Sequence, residues 1–282
     1  MPLSVPTTFQ IEYETQLIHR FQRMSTKLLA TTRTKRDVKA SEARFKLAGL
    51  GTAGPKTPTG RVPIMGAGRS SVSVPLETNY AGDVIEEEDL EQMSHDDRDA
   101  AVKSGAAAIG RRVDELILNA LDATTQPTIA AGANPLALDH AMQAIVRLQQ
   151  NDVPFERQVF CVISPNAFAH LLRFRQFASS EFVGPKDLPF MTLSEWRFWN
   201  GVFFMPHAGA PGIGTATCKG FMYHYEAVAS ALGHDLRSDI SWENTDSNWF
   251  VNNRLRSGHR LLQDAGVIEL NHNDSVPVTY TP

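Results

Sequence analysis

The chain has 282 residues, enough for one large domain or two ordinary ones with a sizeable core. Its formal net charge of −4 argues against a dedicated nucleic-acid binder, which is usually distinctly basic. The charge is unevenly spread, with Lys and Arg abundant over residues 1–80 and carboxylates dominating Asp83 to Asp99. Two cysteines, Cys161 and Cys218, lie far apart without a CxxC partner, which excludes a disulfide framework and fits a reducing cytoplasm. No apolar signal segment opens the chain and no window approaches a membrane span, so neither secretion nor anchoring is expected.

In chain order, Pro2 and Pro6 keep residues 1–8 extended. From Phe9 to Leu29, apolar residues Tyr13, Leu17, Phe21, Met24 and Leu28 recur at helical spacing. This amphipathic arm packs either on its own domain or on a neighbouring subunit. Ala43, Phe45 and Leu47 then alternate, as do Val72, Val74 and Leu76, two strand signals separated by a Gly/Pro-rich run. The expectation is a long hairpin over residues 31–82. An isolated two-stranded hairpin is marginal in water, so it needs a surface from its own domain or from another copy.

Ser94 to Ala123 reads as one long helix. Val102, Ala106, Ile109, Val113, Leu116, Ile117, Ala120 and Leu121 form an apolar stripe, while Lys103, Arg111 and Arg112 lie on other faces. At about 1.5 Å per residue it spans roughly 40 Å. Ser94 is the expected N-cap, and Asp96, Asp97 and Asp99 suit the positive end of the dipole.

Beyond it, a second helix runs from Asn134-Pro135 to about Gln150, with Leu138, Met142, Ile145 and Val146 as its apolar positions. A buried strand follows at Val159–Ile163, holding Cys161 as a buried thiol, and Ser164-Pro165 starts a helix with Ser as cap. Further strands are expected at Trp199–Met205 and Gly220–Tyr225, separated by a Gly-rich loop. A small-residue helix is expected at Ala227–Leu232, stopped by Gly233. Strands resume around Ile240 and Trp242, Trp249 and Val251, and Val267 to Leu270. Helix and strand mix without a regular βαβ rhythm, so the fold class is α+β.

No motif carries chemistry. Gly49-Leu50-Gly51-Thr52-Ala53-Gly54 is a literal GxGxxG, but a dinucleotide site needs a helix opening behind it, and Pro55, Pro58 and Pro63 oppose one. Pro55 also separates Gly54 from Lys56, against the phosphate-binding P-loop. The run Asp83, Glu86, Glu87, Glu88, Asp89, Glu91 lacks the frame of a calcium loop and reads as a solvated acidic face. A second reading makes Glu86, Glu87 and Glu88 a partner for the basic segment Arg33, Lys35, Arg36 and Lys39 of a neighbouring copy. The histidines include no HExxH, so His140, His170, His207 and His224 read as structural or surface residues. No nucleophile elbow is present. The expectation is a non-enzyme without cofactor or metal.

The order of parts is the strongest signal. Val72-Ser73-Val74-Pro75-Leu76, Ala81-Gly82-Asp83-Val84-Ile85 and Ala106 to Leu121, with Gly220-Phe221-Met222-Tyr223-His224, Ala227 to Gly233 and Ala265 to Leu270, resemble the HK97-fold major capsid proteins of tailed bacteriophages. The resemblance covers nearly the whole chain. It implies an N-terminal arm (1–30), an extended E-loop hairpin (31–82), a peripheral domain with the spine helix (83–134), an axial domain (135–234) and C-terminal strands returning to the peripheral domain (235–282). It implies copies grouped in hexamers and pentamers within a virion shell, assembled in the bacterial cytoplasm around double-stranded DNA held without sequence specificity. A separate scaffolding protein, a portal and decoration proteins are the other partners it implies. An encapsulin-like compartment shell is the alternative, and a nucleotide-binding enzyme using the glycine run is a more distant one.

Overall fold

The computed structural model describes residues 26–56, 58–87, 97–178 and 196–279. Before the long helix come β1 (Arg33–Lys35), a hairpin of β2 (Glu42–Ala48) and β3 (Arg69–Pro75), and β4 (Glu77–Glu86). The long helix is α1 (Asp97–Asp122), close to the expected span; its expected cap, Ser94, lies outside the described residues. Most of the arm expected at Phe9–Leu29 also lies outside them, and its last residues form a single 3₁₀ turn, Leu29–Thr31.

After α1 come β5 (Ile129–Ala130), α2 (Leu138–Gln150), β6 (Val159–Ile163), α3 (Pro165–Leu172) and α4 (Arg175–Ala178). The chain continues through β7 (Arg197–Trp199), β8 (Val202–Pro206), β9 (Cys218–His224), β10 (Val228–Glu243), β11 (Asn248–Leu261) and β12 (Val267–His272). Two larger sheets result, one ordered β5-β12-β9-β6-β8-β7 and the other β1-β10-β11-β4.

The six-stranded sheet is covered on both faces, which is why its strands read as continuous apolar runs. Val159, Cys161 and Ile163 of β6 pack with Ala141, Ala144, Ile145 and Leu148 of α2 and with Leu171 of α3. Val162, on the opposite face, joins Phe221, Tyr223 and Val267 beneath α1. Along α1 the stripe holds: Ile109, Val113, Ile117 and Leu121 are buried, whereas Lys103, Arg111 and Arg112 are exposed. Each such buried side chain contributes roughly 1.5–3 kcal/mol, far more than helix propensity differences supply. Leu255 of β11 belongs to the same cluster, so one helix lies against both sheets.

Four expectations are corrected. The hairpin spans Glu42 to Pro75 rather than residues 31–82, because β1 pairs with β10 and β4 with β11 in the four-stranded sheet. Ala227–Leu232 is not a helix: after a 3₁₀ turn, Tyr225–Ala227, it opens the strand β10. Ala229 and Ala231 face a cluster beneath the hairpin base while Ser230 hydrogen-bonds Thr32, a period of two imposed by packing on residues with little strand propensity. Trp199–Met205 is two strands rather than one, because Asn200 and Gly201 take positive φ and turn β7 back onto β8. On α2 the buried face uses Ala141, Ala144, Ile145 and Leu148, leaving Met142 and Val146 exposed. Ser164 caps α3 as expected, accepting from the Ala167 amide at 3.0 Å.

The C-terminal end of α1 is tied down by Asp264, in the turn between β11 and β12. Its carboxylate accepts from Thr124 Oγ1 (2.7 Å), the Thr125 amide (2.9 Å) and hydroxyl (2.6 Å), and Gln126 Nε2 (3.0 Å). Burial alone would raise its pKa, but these donors outweigh it and hold the group at about 2, against an ordinary 3.8. A depressed folded-state pKa gives stability that is present above the unfolded value and lost as pH falls through the folded one. Asp264→Asn is therefore expected to melt below the wild type by a constant margin near neutrality. The margin should narrow once pH falls below about 4. Thermal unfolding monitored by circular dichroism across pH checks this, and a margin that persists unchanged into acid would contradict it.

Candidate functional site

The hairpin β2–β3 has a packed base and an exposed tip. Its register pairs Ala43 with Val74 and Phe45 with Val72, so the expected alternation is met on one face. Ala43, Phe45, Val74 and Leu76 pack with Ala229, Ala231 and Leu262. Arg260 donates to Ser73 O at 3.0 Å, and Arg256 donates to Ala40 O at 3.1 Å, fixing both limbs at their root. Gly258 permits the crossing: a Cβ there would sit 2.0 Å from Pro75 O, so β11 passes under the end of β3 only without a side chain.

Beyond Ala48 the strands end. Two backbone bonds tie the limbs, Gly49 N to Gly68 O (2.7 Å) and Thr52 N to Met65 O (3.3 Å). Leu50 is 99% exposed, Ile64 94%, Val62 71% and Met65 59%. Four large apolar side chains displayed together on a projecting loop form an exposed apolar patch, the kind of surface that marks interaction sites. Those backbone bonds also commit amides of the glycine run to the opposite limb, and among the described residues no helix opens behind it.

The charged candidates occupy opposite edges of the four-stranded sheet. Arg33 and Lys35 lie on β1, the edge beside β10, with Arg36 and Lys39 in the segment leading to the hairpin. Glu86 ends β4, the other edge, followed by Glu87, and Glu88 lies outside the described residues. The four basic residues and both described carboxylates are exposed. The fold does not bring the two groups together within one chain. Arg33 instead meets Glu226 of its own chain at 3.4 Å, an exposed pair of small energetic weight.

One charged residue lies inside the apolar stripe of α1, and periodicity gave no sign of its role. Asp114 is fully buried. Its Oδ1 accepts from the Leu28 amide at 3.1 Å, and its Oδ2 from the Lys27 amide at 3.2 Å; His207 Nε2 lies 3.3 Å from Oδ2. This carboxylate joins the segment before β1, the long helix and the loop after β8. The neighbouring Thr31 hydroxyl bonds the Tyr223 hydroxyl at 2.5 Å, and Thr32 bonds Ser230 at 2.7 Å, which in turn meets His259. Burial holds the His259 pKa down at about 4, opposed by the Asp114 charge, so the imidazole is neutral at physiological pH.

A second polar cluster, distant in sequence, gathers Cys218, His272 and Asp274, all buried. Burial, and then the nearby Asp274 charge, push the Cys218 thiol up to about 12. Pairing of β9 with β12 sets Cys218 opposite His272. No local spacing could have revealed it.

A family model described as phage capsid protein matches residues 5–274. The chain belongs to the phage capsid protein family. Solved capsid structures superpose on it over almost its full length. For the capsid of cyanophage P-SCSP1u the TM-score is 0.72 at 14% identity, covering 94% of this chain and 93% of that one. For the capsid of Ralstonia phage GP4 it is 0.70 at 13%, covering 100% and 98%. For the capsid of the native GTA particle it is 0.73 at 10%, covering 95% and 96%. No curated protein matches the sequence. The fold is the α+β, HK97-type fold of a phage major capsid protein.

In this capsid protein, truncating the buried carboxylate removes the acceptor of the Lys27 and Leu28 amides and its contact with His207. Asp114→Ala is expected to destabilise the subunit by roughly 3 kcal/mol, in the range for breaking a buried polar pair. It should also speed amide hydrogen exchange at Lys27 and Leu28 more than in the hairpin β2–β3. Equal protection of those amides in variant and wild type would show that the carboxylate does not anchor the segment.

Proposed function

We propose that many copies of this capsid protein close an icosahedral shell around the double-stranded DNA of a tailed phage. The observation that carries the reading is the hairpin β2–β3, rooted on its own subunit yet displaying Leu50, Val62, Ile64 and Met65 to solvent. In this reading it is the E-loop, and its apolar tip is covered by an adjacent subunit. The four-stranded sheet with α1 forms the peripheral domain, and the six-stranded sheet with α2 and α3 forms the axial domain of hexamers and pentamers. The segment 26–32, pinned by Asp114, is the root of the N-terminal arm. A separate scaffolding protein directs assembly in the host cytoplasm, and portal and decoration proteins complete the particle. A net charge of −4 suits a container that encloses DNA without reading its sequence. The subunit's role is architectural rather than catalytic.

The opposite-edge placement of the charges supports contacts between copies. Arg33, Lys35, Arg36 and Lys39 of one subunit face Glu86, Glu87 and Glu88 of the next, fixing register rather than supplying much affinity.

Deleting Leu50 to Val62 is expected to leave a folded subunit, with the circular dichroism and unfolding cooperativity of the wild type, that no longer forms closed particles. Electron microscopy after co-expression with the scaffold reads the outcome, and unchanged particle yield would remove the hairpin from the interface. For the charged edges, Arg36→Glu with Lys39→Glu should slow assembly several-fold and weaken its dependence on salt. Adding Glu86→Lys and Glu87→Lys should restore it. Light-scattering kinetics test both steps, and failure of the reciprocal change to rescue would separate the two patches.

A further inference from the structure

Cys218, His272 and Asp274 place a sulfur, an imidazole nitrogen and a carboxylate oxygen within 4.8 Å of one another in a buried site. Each donor is already oriented. Nδ1 of His272 lies 3.4 Å from Leu270 O, a carbonyl that can only accept, so the tautomer protonated at Nδ1 has a partner there and presents its Nε2 lone pair to the cluster. Ser164 donates its one hydroxyl proton to Asp274 Oδ1, and its oxygen lies 3.5 Å from Nε2. Asp274 Oδ2 accepts from the Gly214 amide at 2.7 Å. An imidazole held by a backbone carbonyl and a carboxylate held by two donors are the supporting contacts that metal ligands ordinarily have.

Charge points the same way. Asp274 is buried, and among the described residues its hydrogen-bond donors are uncharged. A divalent ion that displaces the thiol proton to solvent would combine with one thiolate and one carboxylate into a centre of zero net charge, the cheapest state for a buried site. Sulfur, nitrogen and oxygen together form a borderline donor set that suits zinc rather than calcium or magnesium. Ligand atoms around zinc stand about 3.3–3.8 Å apart, so closure needs shifts of about 1 Å or less. Three protein donors leave the fourth position of a tetrahedral ion to a water.

We propose that Cys218, His272 and Asp274 form a structural zinc site that staples the C-terminal segment to the compact domain. The ties already present show what such a staple would reinforce. The Asp274 amide donates to Thr215 O at 2.8 Å, and Asn166 Nδ2 donates to Asp274 O at 2.8 Å and to Val276 O at 2.9 Å. Zinc at this point would lock together the glycine-rich loop before β9, the end of β12 and the start of α3.

The test uses full-length protein purified under reducing conditions from zinc-supplemented cells and dialysed against metal-free buffer. About one zinc per chain should remain by elemental analysis, and cobalt exchange should give a thiolate-to-cobalt charge-transfer absorption. With two cysteines in the chain, two variants identify the source of that band. It should survive Cys161→Ala and vanish in Cys218→Ser. Asp274→Asn should release zinc at least tenfold more readily, and it serves if Cys218→Ser does not fold. Absence of a charge-transfer band in the wild type overturns the proposal, even if zinc is retained. So does a band that follows Cys161.

Discussion

The burial of one helix against two sheets is the constraint on which the rest of the molecule depends. Ile109, Val113, Ile117 and Leu121 contact side chains from β6, β9 and β12 on one side and Leu255 of β11 on the other. That shared surface holds the two sheets against one helix. Asp114 sits within it, and a buried carboxylate is tolerated only where every lone pair has a donor. Satisfying it recruits the backbone before β1 and the histidine after β8, so a costly group becomes a positioning device. The helix thus fixes domain geometry by area, and its buried Asp114 fixes detail by direction.

From this frame the hairpin projects as a separate mechanical part. Its root is held by packing on Ala229 and Ala231, by two arginine bonds to backbone carbonyls and by the absence of a side chain at Gly258. Its tip has almost no internal support. A part that is firm at one end and apolar at the other has a defined direction but an incomplete surface. That combination is the one on which the proposed contact between copies rests.

Much of this was legible in the sequence, and the failures have local causes. The stripe of α1 was plain because one face is buried along most of a long helix, so its period survives single exceptions. The hairpin alternation was plain for the same reason, Ala43 and Phe45 finding Val74 and Val72 across the register. Ala227–Leu232 misled because Ala and Leu favour helices in isolation, whereas pairing with β11 and burial under the hairpin decide the outcome. The buried face of α2 was misjudged because alanines against a sheet bury as completely as larger residues, leaving Met142 and Val146 outside. The turn at Asn200 and Gly201 was overlooked within an aromatic run. Asp114 and the Cys218–His272–Asp274 cluster were invisible for a different reason: their partners are supplied by tertiary structure, and spacing along the chain carries no trace of them. The resemblance of the whole order of parts, by contrast, survived at 10–14% identity to the solved capsids described above, because it rests on patterns of burial rather than on particular residues.

The long reach of these contacts has a consequence in time. Thr31 waits for Tyr223, β1 for β10, Ser164 for Asp274, and α1 for Leu255 and Val267. Folding slows as contacts span greater sequence distances, because loop entropy must be lost before the contact rewards it. At a synthesis rate of about 5–20 residues per second, the stripe of α1 leaves the ribosome several seconds before its bed exists. During that interval the nascent chain exposes the very surface that later organises it and calls for protection by chaperones. The same delay works as a gate on completeness, since a truncated chain lacks the strands that seat the helix and root the hairpin.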